Sequence, residues 1–186
     1  MIEDDYDSEF RLSGKPLQSL FSICPDRVIY MNTFSKSLAP SMRMGYMVLP
    51  PALFERFMKV FGSSANVVPL FEQKTLAAML REGHFERHIN RLKTYYRGVR
   101  HLVVEILEKS DSDCKIVDTG SGLHMLVKFS KATDAQIKAA AERAQIRIRC
   151  LSDYLIAPVD GMEGYAVINY AGVTESQLKN FHIKIF

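Results

Sequence analysis

The 186-residue sequence has no apolar run near the ~18 uninterrupted residues that a membrane-spanning helix needs. Its opening, Met1-Ile2-Glu3-Asp4-Asp5, is acidic where a secretory leader would be basic and then apolar. The two absences together predict a cytoplasmic protein with no membrane partner. Cysteine is scarce as well: Cys24, Cys114 and Cys150 are odd in number, widely spaced and without a Cys-x-x-Cys pair. That suggests neither a disulfide framework nor a zinc knuckle and fits buried or incidental thiols in a reducing compartment. A surplus of one charge is also missing, since 24 basic and 21 acidic residues leave a net +3. Any contact with DNA is therefore expected from residues outside this sequence. No internal repeat or low-complexity tract is present.

What is there is ordinary globular material, 47% hydrophobic and 24% charged, enough for one large domain or a domain and a half. Strand-like residues begin at Ile2 with nothing upstream to pair with, which predicts that the chain is a fragment. Residues 11–26 read as loop, with a turn at Ser13-Gly14-Lys15-Pro16. Strands follow at 28–31 and 45–49, and Pro51 opens a helix. A helix is predicted over 67–81. Another, more than twenty residues long, starts near Phe85 with apolar residues at 85, 89, 92, 96, 99, 103 and 106, one continuous buried stripe. A hairpin at 114–129, turning at 120–122, then leads to a helix at 134–144, strands at 146–150 and 165–170, and a last helix from Thr174.

Lys36 lies in Asn32-Thr33-Phe34-Ser35-Lys36-Ser37-Leu38, just past a strand, where side chains project from a sheet edge into a crevice. An amine there can form a Schiff base with an aldehyde, although a solvated loop lysine would look the same in isolation. Its neighbours give it meaning. Arg43, seven residues on, together with hydroxyls at Thr33, Ser35 and Ser37, suits a phosphate dianion. Upstream, Asp4 falls within a strand, where a carboxylate calls for a positive partner such as a protonated pyridine nitrogen. Tyr6, two residues along and on the same face if the strand continues, could hydrogen-bond a phenolic oxygen on that ring.

The runs Glu3-Asp4-Asp5-Tyr6-Asp7-Ser8-Glu9-Phe10-Arg11, Val28 to Leu38, and Arg43-Met44-Gly45-Tyr46 resemble the aminotransferase-like domain of MocR/GabR-type bacterial transcription regulators of the GntR superfamily. The resemblance covers nearly the whole chain, and Gly120-Ser121-Gly122-Leu123-His124 tilts it towards the regulators. It implies an α/β fold: the second half of the fold type I large domain that binds pyridoxal 5'-phosphate, followed by an α+β C-terminal small domain. The divisions it implies are 1–84 for the large-domain half, 85–109 for a long interdomain helix and 110–186 for the small domain. In that family Lys36 would form the internal aldimine, Asp4 would pair with the pyridine nitrogen, Tyr6 would bond the ring oxygen, and Arg43 with Thr33 or Ser35 would hold the phosphate. A homodimer is implied too, with DNA contacted only through an N-terminal winged helix that is missing here.

The place where aminotransferases of this kind carry a substrate-gripping arginine is occupied by Val167; Arg147 or Arg149 could substitute, but strand alternation and plain solvent exposure explain them as well. Three functions stay open on sequence. The favoured one is a sensor whose effector is a small amino compound or pyridoxal phosphate itself. The others are a true aminotransferase acting on an amino acid, and a structural fragment without cofactor. His84 and His88 have a zinc-like spacing but no third ligand, so no metal is expected. Arg91, Lys93, Arg97 and Arg100 read as the solvated side of a helix, and Met42, Met44 and Met47 as packing.

Overall fold

A computed structural model describes residues 1–12, 17–110, 113–117, 122–174 and 177–178. The expected turn at 13–16, residues 120 and 121 of the expected hairpin turn and most of the expected last helix lie outside the described residues. The chain divides into two compact units, Met1–Arg91 and Leu92–Phe186.

In the first unit, β1 (Ile2–Asp4), β2 (Ile29–Thr33) and β3 (Gly45–Val48) form a sheet in that order. β1 runs parallel to β2, and β3 antiparallel to it. The middle strand extends beyond the expected 28–31 because Asn32 and Thr33 find ladder partners in Tyr46 and Gly45. That pairing is close: a Cβ on Gly45 would stand 3.0 Å from the Asn32 carbonyl oxygen, so a glycine belongs there. The register places Asp4, Met31 and Met47 on one face, and Glu3, Tyr30 and Val48 on the other.

Helix α1 (Leu20–Ile23) interrupts the segment expected to be loop. Four residues carry no periodic signal. The helix persists because the two Glu3 carboxylate oxygens accept the Leu20 and Phe21 amides, each at 2.8 Å, and Ser19 accepts that of Ser22. Helix α2 (Pro51–Phe61) starts on its proline as expected. Helix α3 (Leu70–Arg81) begins later than Val67, because proline at 69 pushes the residue before it out of the helical region. Helix α4 (His84–Lys109) has 26 residues, and the boundary between the two units falls within it. Ile89, Val99, Val103 and Leu107 are its buried residues.

In the second unit, β4 (Cys114–Val117), β5 (His124–Phe129), β6 (Arg149–Cys150) and β7 (Tyr165–Asn169) form an antiparallel sheet in the order β4-β5-β7-β6. Met125, Val127 and Phe129 alternate into the core, where Ile137, Ala140 and Ala141 of α5 (Asp134–Arg143) are also buried. Thr133 and Gln136 form a reciprocal capping box at the start of α5. At its end Gln145 turns left-handed, and the Gln145 and Ile146 amides donate to the Glu142 and Ala141 carbonyls. That closure shortens β6 to two residues instead of the expected 146–150. β7 opens after Gly164, where φ is +78° and a Cβ would meet the Ala132 and Phe129 carbonyls at 2.8 and 2.9 Å. Among the described residues no helix is long and apolar enough to cross a membrane.

Candidate functional site

The six residues singled out from the sequence all lie in the first unit, at strand ends, in the turn after β1 or in the loop between β2 and β3. Asp4 closes β1 and is exposed; Thr33 closes β2 and, two residues from Met31, shares the face of the sheet that carries Asp4. Ser35 and Lys36 follow, half-buried, in the loop after β2, and Arg43 is exposed just before β3.

The loop is tightly tied. The Phe34 amide donates to the Met44 carbonyl at 3.0 Å, Leu38 to Phe34 at 2.9 Å and Met42 to Ala39 at 3.0 Å. The Phe34 ring lies 5.4 Å from that of Tyr46 and 6.0 Å, edge-on, from that of Phe85, while Ser37 and Met44 are buried. The Lys36 amine therefore projects from a fixed backbone.

Its Nζ stands 5.8 Å from the centroid of the Tyr6 ring, so amine and phenol meet across a long stretch of sequence. The expected route for Tyr6 needs correction. β1 stops at Asp4 and Asp7 adopts a left-handed φ of 60°, so Tyr6 reaches the lysine from a turn and not from a continuing strand. Among the described residues Asp4, Lys36 and Arg43 form no ion pair, which leaves their charges open to a ligand. The Ser35 hydroxyl makes a single long bond, 3.4 Å to the Met42 carbonyl, and can turn towards another acceptor. An amine, an uncommitted carboxylate, a phenol, a guanidinium and neutral hydroxyls are the residue types that suit a pyridine aldehyde bearing a phosphate, and among the described residues the amine and the phenol are the pair seen in contact.

Sequence reasoning missed a polar cluster on the opposite face of the sheet. Tyr30 donates to Asp5 Oδ2 at 2.5 Å, Ser8 donates to the same oxygen at 3.0 Å, and Asn32 Nδ2 contacts Glu9 Oε1 at 3.3 Å and the Tyr30 hydroxyl at 3.2 Å. Burial pushes the Glu9 carboxyl above its usual range. The Tyr30 hydroxyl is raised by burial and then by the Asp5 carboxylate beside it. The available signal was Asn32, a polar residue inside an apolar strand run and in fact buried.

The histidine pair is occupied locally: His84 Nε2 is 3.3 Å from Glu82, and its Nδ1 is 2.9 Å from Arg87. Among the described residues no cluster of three potential metal ligands occurs. A cavity of about 1450 Å³ in the second unit is bordered by Val103, Leu107, Phe129, Ile137 and Tyr170, and by none of the six site residues. Val167 lies half-buried in β7 between Leu126 and Arg149, whose guanidinium is 5.7 Å from the Tyr154 ring.

Residues 11–185 match the family described as aminotransferase class I and II. The chain belongs to that family. The class I and II match opens at Arg11, so Asp4 and Tyr6 precede it.

Among curated proteins, the chain is 34% identical over 184 residues to the uncharacterized HTH-type transcriptional regulator YhdI of Bacillus subtilis (strain 168), covering 96% of this chain and 38% of that protein. It is 30% identical to the probable rhizopine catabolism regulatory protein MocR of Rhizobium meliloti, with 96% of this chain and 36% of that one covered. The chain thus spans well under half the length of these regulators. A solved structure of kynurenine aminotransferase from Pyrococcus horikoshii, in complex with PMP, superposes with a TM-score of 0.77 at 24% identity, over 95% of this chain and 44% of that one. The α/β scaffold of fold type I expected from the sequence is the one present.

Proposed function

We propose that this chain is the effector-sensing, aminotransferase-like part of a cytoplasmic transcription regulator, and that Lys36 is the Schiff-base lysine for pyridoxal 5'-phosphate. The observation that carries the reading is the Lys36 amine held over the Tyr6 ring beside a sheet face that presents an unpaired Asp4. In this reading Asp4 faces the pyridine nitrogen and Tyr6 donates to the ring oxygen. Arg43, with Thr33 or Ser35, neutralises the phosphate, for which a guanidinium fork and neutral donors are suited. When bound, the cofactor supplies an aldehyde for amines and an electron sink.

The regulator names carried by YhdI and MocR support sensing over turnover. So does Val167, an apolar side chain at the position where a transaminating enzyme would need a cation for the substrate carboxylate. Binding of a small amino compound then biases two states of a homodimer, and an N-terminal winged helix transmits that bias to DNA. The long helix assigned to 85–109 links the cofactor-binding half to the small domain at 110–186 in this arrangement.

The test is spectroscopic. The intact protein loaded with pyridoxal 5'-phosphate is expected to show a visible absorbance band that Lys36→Ala abolishes. A band of equal intensity in the variant would remove Lys36 from its role.

A further inference from the structure

The polar cluster beneath the first sheet has no part in the cofactor roles above, yet it is built around them. Tyr6 is one residue from Asp5, whose amide donates to the Met31 carbonyl at 2.8 Å and whose carboxylate takes the Tyr30 and Ser8 hydroxyls. The Ser8 bond closes a turn across Tyr6 and Asp7, and Tyr6 projects from that turn towards Lys36. Phe10, fully buried, anchors its far end.

Asn32 is the join. Its Nδ2 contacts Glu9, on the segment that carries Tyr6, while its Oδ1 accepts the Thr33 amide at 2.5 Å, where the Lys36 loop begins. One buried side chain thus fixes both segments whose tips meet at the amine. Tyr30 is braced by rings as well, 6.1 Å from Phe21 and 6.0 Å from Tyr46. In such surroundings a polar group with its partners satisfied holds one geometry, and loss of one partner loosens the rest.

We propose that Asp5, Tyr30 and Asn32 are positioning residues that hold the Tyr6 hydroxyl in register with Lys36, and through Tyr6 set the proton affinity of the lysine-bound cofactor. The proposal rests on the cofactor reading. A phenol that donates to the ring oxygen stabilises that oxygen as an anion and makes it a poorer acceptor for a proton shared with the lysine nitrogen. Misplacing the phenol therefore raises the proton affinity of the pair.

The experiment is a pH titration of the visible band in the intact protein loaded with pyridoxal 5'-phosphate. Tyr30→Phe keeps the ring contacts and removes only the hydroxyl. Its midpoint is expected to rise by about one pH unit, the size of one charge-assisted hydrogen bond. Tyr6→Phe is expected to move the midpoint the same way, and the double variant to add nothing beyond Tyr6→Phe. Asp5→Ala is expected to behave like Tyr30→Phe, while Asp5→Asn, which can still accept from Tyr30, returns towards wild type.

A purely structural cluster would lower the melting temperature and leave the midpoint in place, and that result in Tyr30→Phe overturns the inference. Fully additive shifts in the double variant overturn it too. Should Tyr30→Phe not fold, Ser8→Ala opens the same turn from its exposed side, and an unmoved midpoint there is equally fatal. A band that survives Lys36→Ala defeats the cofactor reading and this inference with it. A band lost in Lys36→Ala but unmoved in Tyr30→Phe defeats this inference alone.

Discussion

The two units of the chain are held together by different means. Of the eighteen hydrophobic side chains buried among the described residues, only Phe10, Val28, Met44 and Ile89 belong to the first unit; the rest pack the second. The first unit keeps large apolar residues in the open along α2 and α3, among them Phe54, Phe61, Leu70 and Phe71, and braces its sheet with hydrogen bonds between side chains. The second carries a conventional core between an antiparallel sheet and its helices. A site loop tied by directional bonds can be placed accurately without a large core beneath it, at the cost of depending on each bond.

Truncating matched residues tests that contrast most strongly. Phe129→Ala, in the second core, is expected to cost about 3–5 kcal/mol in denaturant unfolding, the usual range for a buried phenylalanine. Phe10→Ala, equally buried, is expected to cost less, because the thinner surroundings of the first unit can close over the gap. Equal losses would break the comparison.

A smaller effect comes from the second unit's local devices. Thr133→Ala removes the α5 capping box and is expected to cost about 1 kcal/mol, readable as a fall in thermal midpoint. No loss would mean that core packing alone dictates this helix.

The smallest concerns charge. The Lys138 ammonium, 2.5 Å away, and then the Cys150 amide hold the Asp153 carboxyl below the usual carboxylate range. A carboxyl lowered in the folded state adds stability that is complete above its unfolded value, about 4, and fades as pH falls through the folded value. Asp153→Asn is therefore expected to lose that increment at neutral pH and to converge with the wild type in acid, which flattens the acid limb of a stability curve. The pair is solvent-screened, so the change is small. A variant with an unchanged acid limb would leave the charge without a role.

Much of this was legible in the residues. Periodicity located α4 and α5 and both hairpin strands, since a buried stripe or an alternating face is written directly in the order of side chains. Of the residues named around Lys36, Tyr6 is one whose ring the amine does approach. What escaped depended on partners far along the chain. α1 exists through Glu3, β6 is cut short by the closure of α5 at Gln145, and the pairing of Tyr30 with Asp5 ties β2 to the residue after β1 through a parallel register that no local pattern reveals. The left-handed Asp7 belongs with these, because aspartate tolerates that conformation without demanding it.

The acids near the start of the chain look like a single negative patch when written as letters. In space they have separate employments: Glu3 on the first turn of a short helix, Asp5 under two hydroxyls, Glu9 against an amide. Asp4 alone of these four is left facing outward with nothing to answer it. A cation arriving beside Asp4 therefore meets a directed point of attraction, a geometry that can select the orientation of a guest as well as its sign.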